Sequence, residues 1–367
     1  MKTLLLALLV ATSAAAQPVV GPEVKSATLP AVGDAALLPH GSGYLIAWSE
    51  ADRINVAHLD ATLQATDAPF SVLLPPPSAQ PTFVTLASNG SSILVVWKEK
   101  PAGYADSTFA ATLTEDAKTL LAPPQFLNAT PTTPAAGARG DRYELISGDE
   151  FRILNEHLET ATVDVIPSQL SSALSTAGEV ATVTSAVNNR YSCQGGQFRF
   201  PTCSTLETFT FTAPSVKKSV DVAFGPTVPD RTPPTHDPFV ITDGDHFVGL
   251  VVKSSETDVF ELRGDRPGMT WTLDPLPLPG IISAAANGSD VLVVWSASAI
   301  RGIVLHGDGS TSPPFVIAQY ADYNSPKVFV ASSDEFIVTY RYSLDAQHSA
   351  IAGRVIHVQG GRQRAVR

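Results

Sequence analysis

The sequence predicts an all-β fold, a seven-bladed β-propeller with four antiparallel strands per blade. Three observations carry that expectation: a duplicated strand, weaker copies of it at regular spacing, and a high density of turn residues. The duplicate is "ASNGSSILVVWKE" at 87–99, which returns as "AANGSDVLVVWSA" at 285–297. In each copy an Asn-Gly pair, Asn89-Gly90 or Asn287-Gly288, supplies the dipeptide that favours a type I′ hairpin turn with positive φ at both centres. The strand that follows, Ile93–Trp97 or Val291–Trp295, is a continuous apolar run of strand length, as expected where both faces of a sheet are covered.

Weaker copies recur along the chain, and self-similarity at a fixed period sets the architecture before local propensity does. "GSGYLIAWSE" places Trp48 forty-nine residues before Trp97, and "DRYELISGDE" places Ile146 forty-nine after it. "DHFVGLVVKS" places Val251 forty-four before Trp295, and "DEFIVTYRYS" places Tyr340 forty-five after it. One further unit fits around "EVATVTSAV" at 179–187, which makes seven. A third strand also repeats, in "INVAHLD" (54–60), "IRGIVLH" (300–306) and "IAGRVIH" (351–357). Four strands every forty-five to fifty residues are the spacing of propeller blades. The units fall at about 29–80, 81–133, 134–173, 174–224, 225–279, 280–325 and 326–367, in one domain. The stretch 168–183 is rich in Ala, Leu and Ser and could pass for a helix, but the period reads it as strand.

The seventh unit lacks an apolar fourth strand, since the chain ends in "QGGRQRAVR". A spare extended segment at 17–30 precedes the first unit, so the N-terminal strand is expected to close the ring and cover its open edge. With 29 Pro and 25 Gly the chain has the punctuation that many turns need, and "GPTVPDRTPPTHDP" at 225–238 reads as a long inter-blade loop.

Residues 1–16 read as a secretory signal peptide, with Lys2, an apolar run from Leu4 to Val10, and Ala14–Ala16 before the cleavage point. No later apolar stretch approaches transmembrane length, so a secreted or periplasmic location with no membrane span is expected. In that compartment Cys193 and Cys203 are expected to form a disulfide, closing a small loop worth about 3 kcal/mol in the chain-entropy picture. The net charge of −11 gives no electrostatic support for binding nucleic acid. No metal and no cofactor is expected: Asp243-Gly244-Asp245 and "HGDGSTS" at 306–312 lack the full calcium loop and read as turns. Oligomeric state leaves no readable sign.

No nucleophile elbow, zinc-protease helix, P-loop or Rossmann glycine pattern occurs. His58, His306 and His357 recur at the same third-strand position, which points to a packing or turn role. The two Arg-Gly-Asp tripeptides, at 139–141 and 263–265, read as turns. "RGDRPGMTW" at 263–271 resembles the Asp-box turn of sialidase-like propellers, although the serine is missing and Asp265 lies three residues before Gly268 instead of two. That box is a fold-stabilising turn, so the resemblance implies architecture. The recurring grammar of "PTFVTLASNGSSILVVW" resembles secreted bacterial propellers with LVVW-type repeats, a group mostly of unknown function, over nearly the whole mature chain.

Propeller geometry puts a site on the rim formed by second-to-third-strand loops and inter-blade loops. These hold Glu50, Asp52 and Arg53; Lys98–Lys100, Tyr104 and Asp106; Tyr320, Asp322, Tyr323 and Asn324; and Arg341, Tyr342 and Asp345. Arg53, Tyr104, Tyr320, Tyr323, Arg341 and Tyr342 are the expected ligand-binding residues, because Tyr and Arg combine contact area with hydrogen-bonding tips. Two functions fit: a non-enzymatic recognition or scaffold propeller for an extracellular protein or glycan, or a glycan-cleaving enzyme of sialidase-like type. The missing catalytic motif favours the first.

Overall fold

The computed structural model describes residues 17–30, 34–50, 52–74, 81–99, 106–130, 132–166, 170–175, 179–194, 202–214, 216–226, 238–242, 246–252, 257–262, 270–273, 282–296, 298–319, 324–343 and 349–358. They form seven blades of antiparallel strands, and none of them is helical. Two N-terminal strands, β1 (Val19–Val20) and β2 (Val24–Pro30), precede the first blade. That blade runs through β3 (Ala35–His40), β4 (Gly43–Glu50), β5 (Arg53–Leu59) and β6 (Phe70–Leu73). The second has β7 (Pro81–Ser88), β8 (Ser92–Glu99), β9 (Ser107–Thr114) and β10 (Leu120–Ala129). The third has β11 (Ala135–Arg139), β12 (Arg142–Ser147), β13 (Glu150–Leu154) and β14 (Thr160–Val165).

The fourth blade is the irregular one, with β15 (Ser171–Leu174), β16 (Val180–Gln194), β17 (Thr202–Ala213) and β18 (Val216–Pro226). Its first strand thus straddles the expected unit break at 173/174, because Ser-Ser-Ala-Leu carries too little apolar pattern to mark a strand. The fifth holds β19 (Phe239–Thr242), β20 (Phe247–Val252), β21 (Thr257–Leu262) and β22 (Thr270–Leu273). The sixth holds β23 (Ile282–Ala286), β24 (Asp290–Ser296), β25 (Ile300–His306) and β26 (Phe315–Ala318). The seventh has β27 (Asn324–Ser332), β28 (Glu335–Ser343) and β29 (Ser349–His357).

The innermost strands touch in cyclic order, β3, β7, β11, β15, β19, β23, β27, and β27 returns to β3. The last blade is completed from the other end of the chain: β1 and β2 both pair with β29, with Val20 opposite Ile356 and Val24 opposite Gly353. The expected closing strand is therefore present. The duplicated strand is sandwiched as its composition requires, for every residue of β8 is buried. Trp48 and Trp97 lie almost wholly inside, and the apolar clusters run between neighbouring blades.

The Asn-Gly turns differ from expectation. Only the glycines take positive φ, 82° at Gly90 and 94° at Gly288. The asparagines stay in ordinary backbone space because their side chains are used twice. Asn89 Oδ1 accepts from the Ser91 and Ser92 amides at 3.0 and 2.8 Å, and its Nδ2 donates to Asp141 O of the next blade at 3.0 Å. Asn287 repeats this, with Asp290 N at 2.9 Å and Ser333 O of the next blade at 2.8 Å. The repeated asparagine is thus a turn cap and an inter-blade latch. Asn89→Ala is expected to cost about 1–2 kcal/mol in a denaturant melt, while Asn89→Asp keeps the cap and loses only the latch donor.

A second repeat unifies the turns from third to fourth strand. Leu63, Ala117 and Leu158 sit there in left-handed backbone at φ 67°, 53° and 60°, where blade six has Gly309. Each amide donates back to the strand end, as Leu63 N does to Asp60 O at 2.9 Å. Leu63 packs with Ile337 and Ile351 of the seventh blade, and Leu158 with Leu94 and Ala110 of the second. Burial of these side chains against the preceding blade offsets the left-handed strain of about 1 kcal/mol.

Candidate recognition face

One face of the ring gathers the starts of first strands and the turns between second and third strands, as antiparallel order requires. At its centre lies a cavity of about 390 Å³ lined from five blades, by Thr133, Leu170 and Ser171, by Pro238–Ile241, by Ile282–Ala284, and by Lys327. This size falls in the range of small-ligand sites. The two serines that line it are fixed by the next blade. Ser171 Oγ accepts from Val240 N at 3.4 Å and Ser283 Oγ from Val328 N at 3.2 Å. Thr133 adds a third hydroxyl, Lys327 is the charged side chain among the lining residues, and the exposed lining is more polar than apolar.

Lys327 Nζ lies 3.3 Å from Asp34 Oδ2, at the start of the first blade, and 5.7 Å from the centre of the Phe83 ring in the second. Burial pushes the Asp34 carboxyl above its usual range, against the opposing pull of Lys327 and Arg341. Three blades thereby meet in one charged cluster that no linear motif announces.

The rim residues singled out from sequence have varied placements. Arg53 opens β5, and its guanidinium grips Asp52 by two contacts of 2.8 and 3.1 Å, with Glu50 3.9 Å away. This holds the Asp52 carboxyl below its usual range through the hydrogen bond from Arg53. Arg341 lies on β28 at the same end of the molecule and acts electrostatically on Asp34. Tyr342, by contrast, is buried at 7% exposure among Phe315, Val338 and Ala350, with Lys25 Nζ 5.1 Å from its ring centre. It is a core residue, because alternation on β28 turns its ring between blades. Tyr104, Tyr320 and Tyr323 lie outside the described residues.

Further polar groups on this face are engaged locally. Lys98 is buried and pairs with Asp106 at 2.9 Å. Arg152 holds Glu150, and Asn128 Nδ2 donates to Ser147 O at 2.7 Å. A Trp-x-Glu unit recurs as well: the Trp97 indole N–H donates to Glu99 at 2.9 Å and Trp48 to Glu50 at 3.3 Å. In the sixth blade position 297 is Ala, and the buried Trp295 indole N–H has no partner among the described residues. That signal was present in "WSE" and "WKE".

The three recurrent histidines end their third strands on carboxylates, His58 on Asp67 at 2.9 Å, His306 on Asp290 at 2.9 Å and His357 on Glu335 at 3.0 Å. They lie at the opposite end of the blades from the cavity. His306 and Asp290 are both buried, and the bond to Asp290 pushes the imidazole above its usual value. A raised folded-state value means that the pair stabilises fully below about pH 6.5 and loses that contribution as pH rises through the folded value. Melting temperature is therefore expected to fall from pH 6 to 8 more steeply for the native chain than for His306→Asn.

Cys193 and Cys203 are directly opposite in the β16–β17 register; their side chains lie outside the described residues. The turn that resembles an Asp-box does fall between third and fourth strands of the fifth blade, with residues 263–269 outside the described set. Among the described residues no cluster of three or more His, Cys, Asp or Glu could hold a metal, and no helix is long and apolar enough to cross a membrane.

No known protein-family profile matches the chain. No curated protein matches its sequence. Solved structures do resemble it in fold. A protein of unknown function from Dyadobacter fermentans DSM 18053 aligns over 94% of this chain and 99% of its own at 13% identity and TM-score 0.50. YCF48 bound to D1 peptide aligns over 92% of this chain and 94% of its own at 11% identity and TM-score 0.52. At such identities the likeness is one of fold.

Proposed function

We propose that the protein is a recognition propeller that binds an extracellular protein or glycan on the face bearing the channel-mouth cavity, without covalent chemistry. The observation that carries this reading is the cavity itself, a recess whose exposed lining is more polar than apolar, with hydroxyls and one ammonium at its edge. Among the described residues around it, four carboxyls are engaged: Asp34 with Lys327, Asp52 with Arg53, Asp106 with Lys98 and Glu150 with Arg152. Glycoside cleavage calls instead for two carboxyls about 5–10 Å apart flanking a bond, one of them free to give up a proton. The peptide held by YCF48 supports a polypeptide as one ligand class. The N-terminal segment 1–16 supports a secreted or periplasmic setting.

The test is a screen of the chain from Gln17 against glycans, peptides and cell-envelope extracts, with product analysis on every hit. Binding without turnover that weakens at least about tenfold on Phe239→Ala supports the reading. Sugar released from any hit would overturn it.

A further inference from the structure

The polar side chains that line the channel-mouth cavity are all hydrogen-bond donors, and none of them is an acid. Thr133, Ser171 and Ser283 supply three hydroxyls, Lys327 an ammonium and Phe239 an aromatic ring. The two serines are held alike. Each sits on the first strand of its blade, β15 or β23, and accepts an amide from the first strand of the next, Val240 N at 3.4 Å and Val328 N at 3.2 Å. Such a bond occupies a lone pair and leaves the hydroxyl proton to be donated elsewhere. Among the described residues no group accepts that proton from Ser171, Ser283 or Thr133.

Lys327 brings the charge. Asp34 Oδ2, 3.3 Å from Nζ, engages one of the three ammonium protons, so the group keeps donors for a second acceptor. Asp34 is itself a disfavoured anion there, since burial pushes its carboxyl above the usual range. It therefore anchors the ammonium and, while ionised, repels any further anion beside it. A ligand complementary to this lining carries a carboxylate for Lys327, several oxygens for the hydroxyls and a C–H face for the Phe239 ring. A cation finds no acid among the lining side chains, and an aliphatic chain would leave three hydroxyls unpaired. The volume of about 390 Å³ suits a ligand of a few rings at most.

We propose that the channel-mouth cavity binds a sugar acid, a pyranose whose carboxylate meets Lys327 and whose ring oxygens and hydroxyls take the protons of Thr133, Ser171 and Ser283. The inference rests on the recognition reading and names its ligand class. It also assigns opposite roles to the two members of one ion pair. Lys327 holds the ligand carboxylate, whereas Asp34 competes with it for the same ammonium. Asp34→Asn keeps the shape of the side chain and removes the competing charge.

The probe is methyl glucuronide, titrated against the chain from Gln17 by saturation-transfer NMR beside its neutral amide, methyl glucoside and inorganic phosphate. The acid is expected to bind at least about tenfold more tightly than the amide or the glucoside. Lys327→Gln is expected to erase that preference while leaving the amide where it was, and Asp34→Asn to tighten the acid about threefold. A purely structural ion pair would give no such opposition of sign. Equal binding of acid and amide, a preference that survives Lys327→Gln, or an acid that fails to tighten with Asp34→Asn overturns the proposal. Phosphate bound as tightly as the sugar acid, and lost on Lys327→Gln, overturns it in favour of a plain anion site. Absence of glucuronide binding beside a neutral glycan or peptide hit that Phe239→Ala weakens overturns it and keeps the broader reading. Absence of any hit, the sugar acid included, overturns both.

Discussion

A chain shortened to start at residue 31 is expected to melt about 6 °C lower than one starting at Gln17, and to aggregate on heating. The deletion removes β1 and β2, which supply the outer edge of the seventh blade. It takes away the Gly21 N bond to Val355 O at 2.8 Å and the Arg354 bond to Gly21 O at 2.9 Å. The Tyr340 hydroxyl loses Glu23 Oε2, its acceptor at 2.8 Å, inside an otherwise buried site. Val20 leaves the cluster around Phe336 and Ile356, and Val24 the one around Leu63 and Ile351. Net hydrogen-bond and burial terms together come to on the order of 5 kcal/mol, which for a chain of this length corresponds to the stated shift. The bare edge of β29 is the added liability, since an unpaired strand invites pairing with other molecules. Calorimetry with light scattering checks both parts; an unchanged melting temperature would show that the ring is held without its N-terminal strands.

Gly249→Val is expected to destabilise by about 3 kcal/mol, against the sign that strand propensity gives. Gly249 lies in the middle of β20, where valine would ordinarily be the better strand residue. Directly across the ladder is Phe260. Its ring meets Phe211 of the fourth blade edge to face, 4.8 Å between centroids at 86°. A Cβ on Gly249 would lie 2.6 Å from Phe260 Cε2 and 2.9 Å from Phe211 Cδ1. The glycine therefore makes room for the aromatic contact that joins two blades. Shrinking the neighbour should restore part of the loss, so Gly249→Val with Phe260→Leu is expected to be more stable than the sum of the single effects. Additive losses in the double-mutant cycle would mean that the two side chains do not compete for one space.

Much of the ring was legible because a repeat writes the same physical problem many times. The tryptophans at 48, 97 and 295, the Asn-Gly turns and the third strands each marked a blade, and the unfinished seventh unit pointed to 17–30 as its missing strand. Where the repeat decays, legibility decays with it, so the fourth blade was read as strand without the length of β16, β17 and β18. The left-handed Leu63, Ala117 and Leu158 carry no linear mark, since most left-handed positions are glycine or asparagine. Their conformation is imposed by the apolar slot that the preceding blade offers. The candidate site was the least legible part. Lys327, Asp34 and Phe83 are hundreds of residues apart in part, and they meet only because the seventh blade closes on the first. Tyr342 was read as a rim anchor and lies in the core, a difference set by which face of β28 the pleat assigns it.

What is local and periodic could be read along the chain: strand length, turn position, the number of blades and the segment that completes the last one. These follow from apolar periodicity and backbone preference, which act between near neighbours. What depends on the ring being closed came from the packing of the blades: the second use of Asn89 and Asn287 as latches, the space that Gly249 leaves and the cavity at the channel mouth. Each of these joins residues from different blades, and their distance in space is fixed by the packing of one sheet on the next.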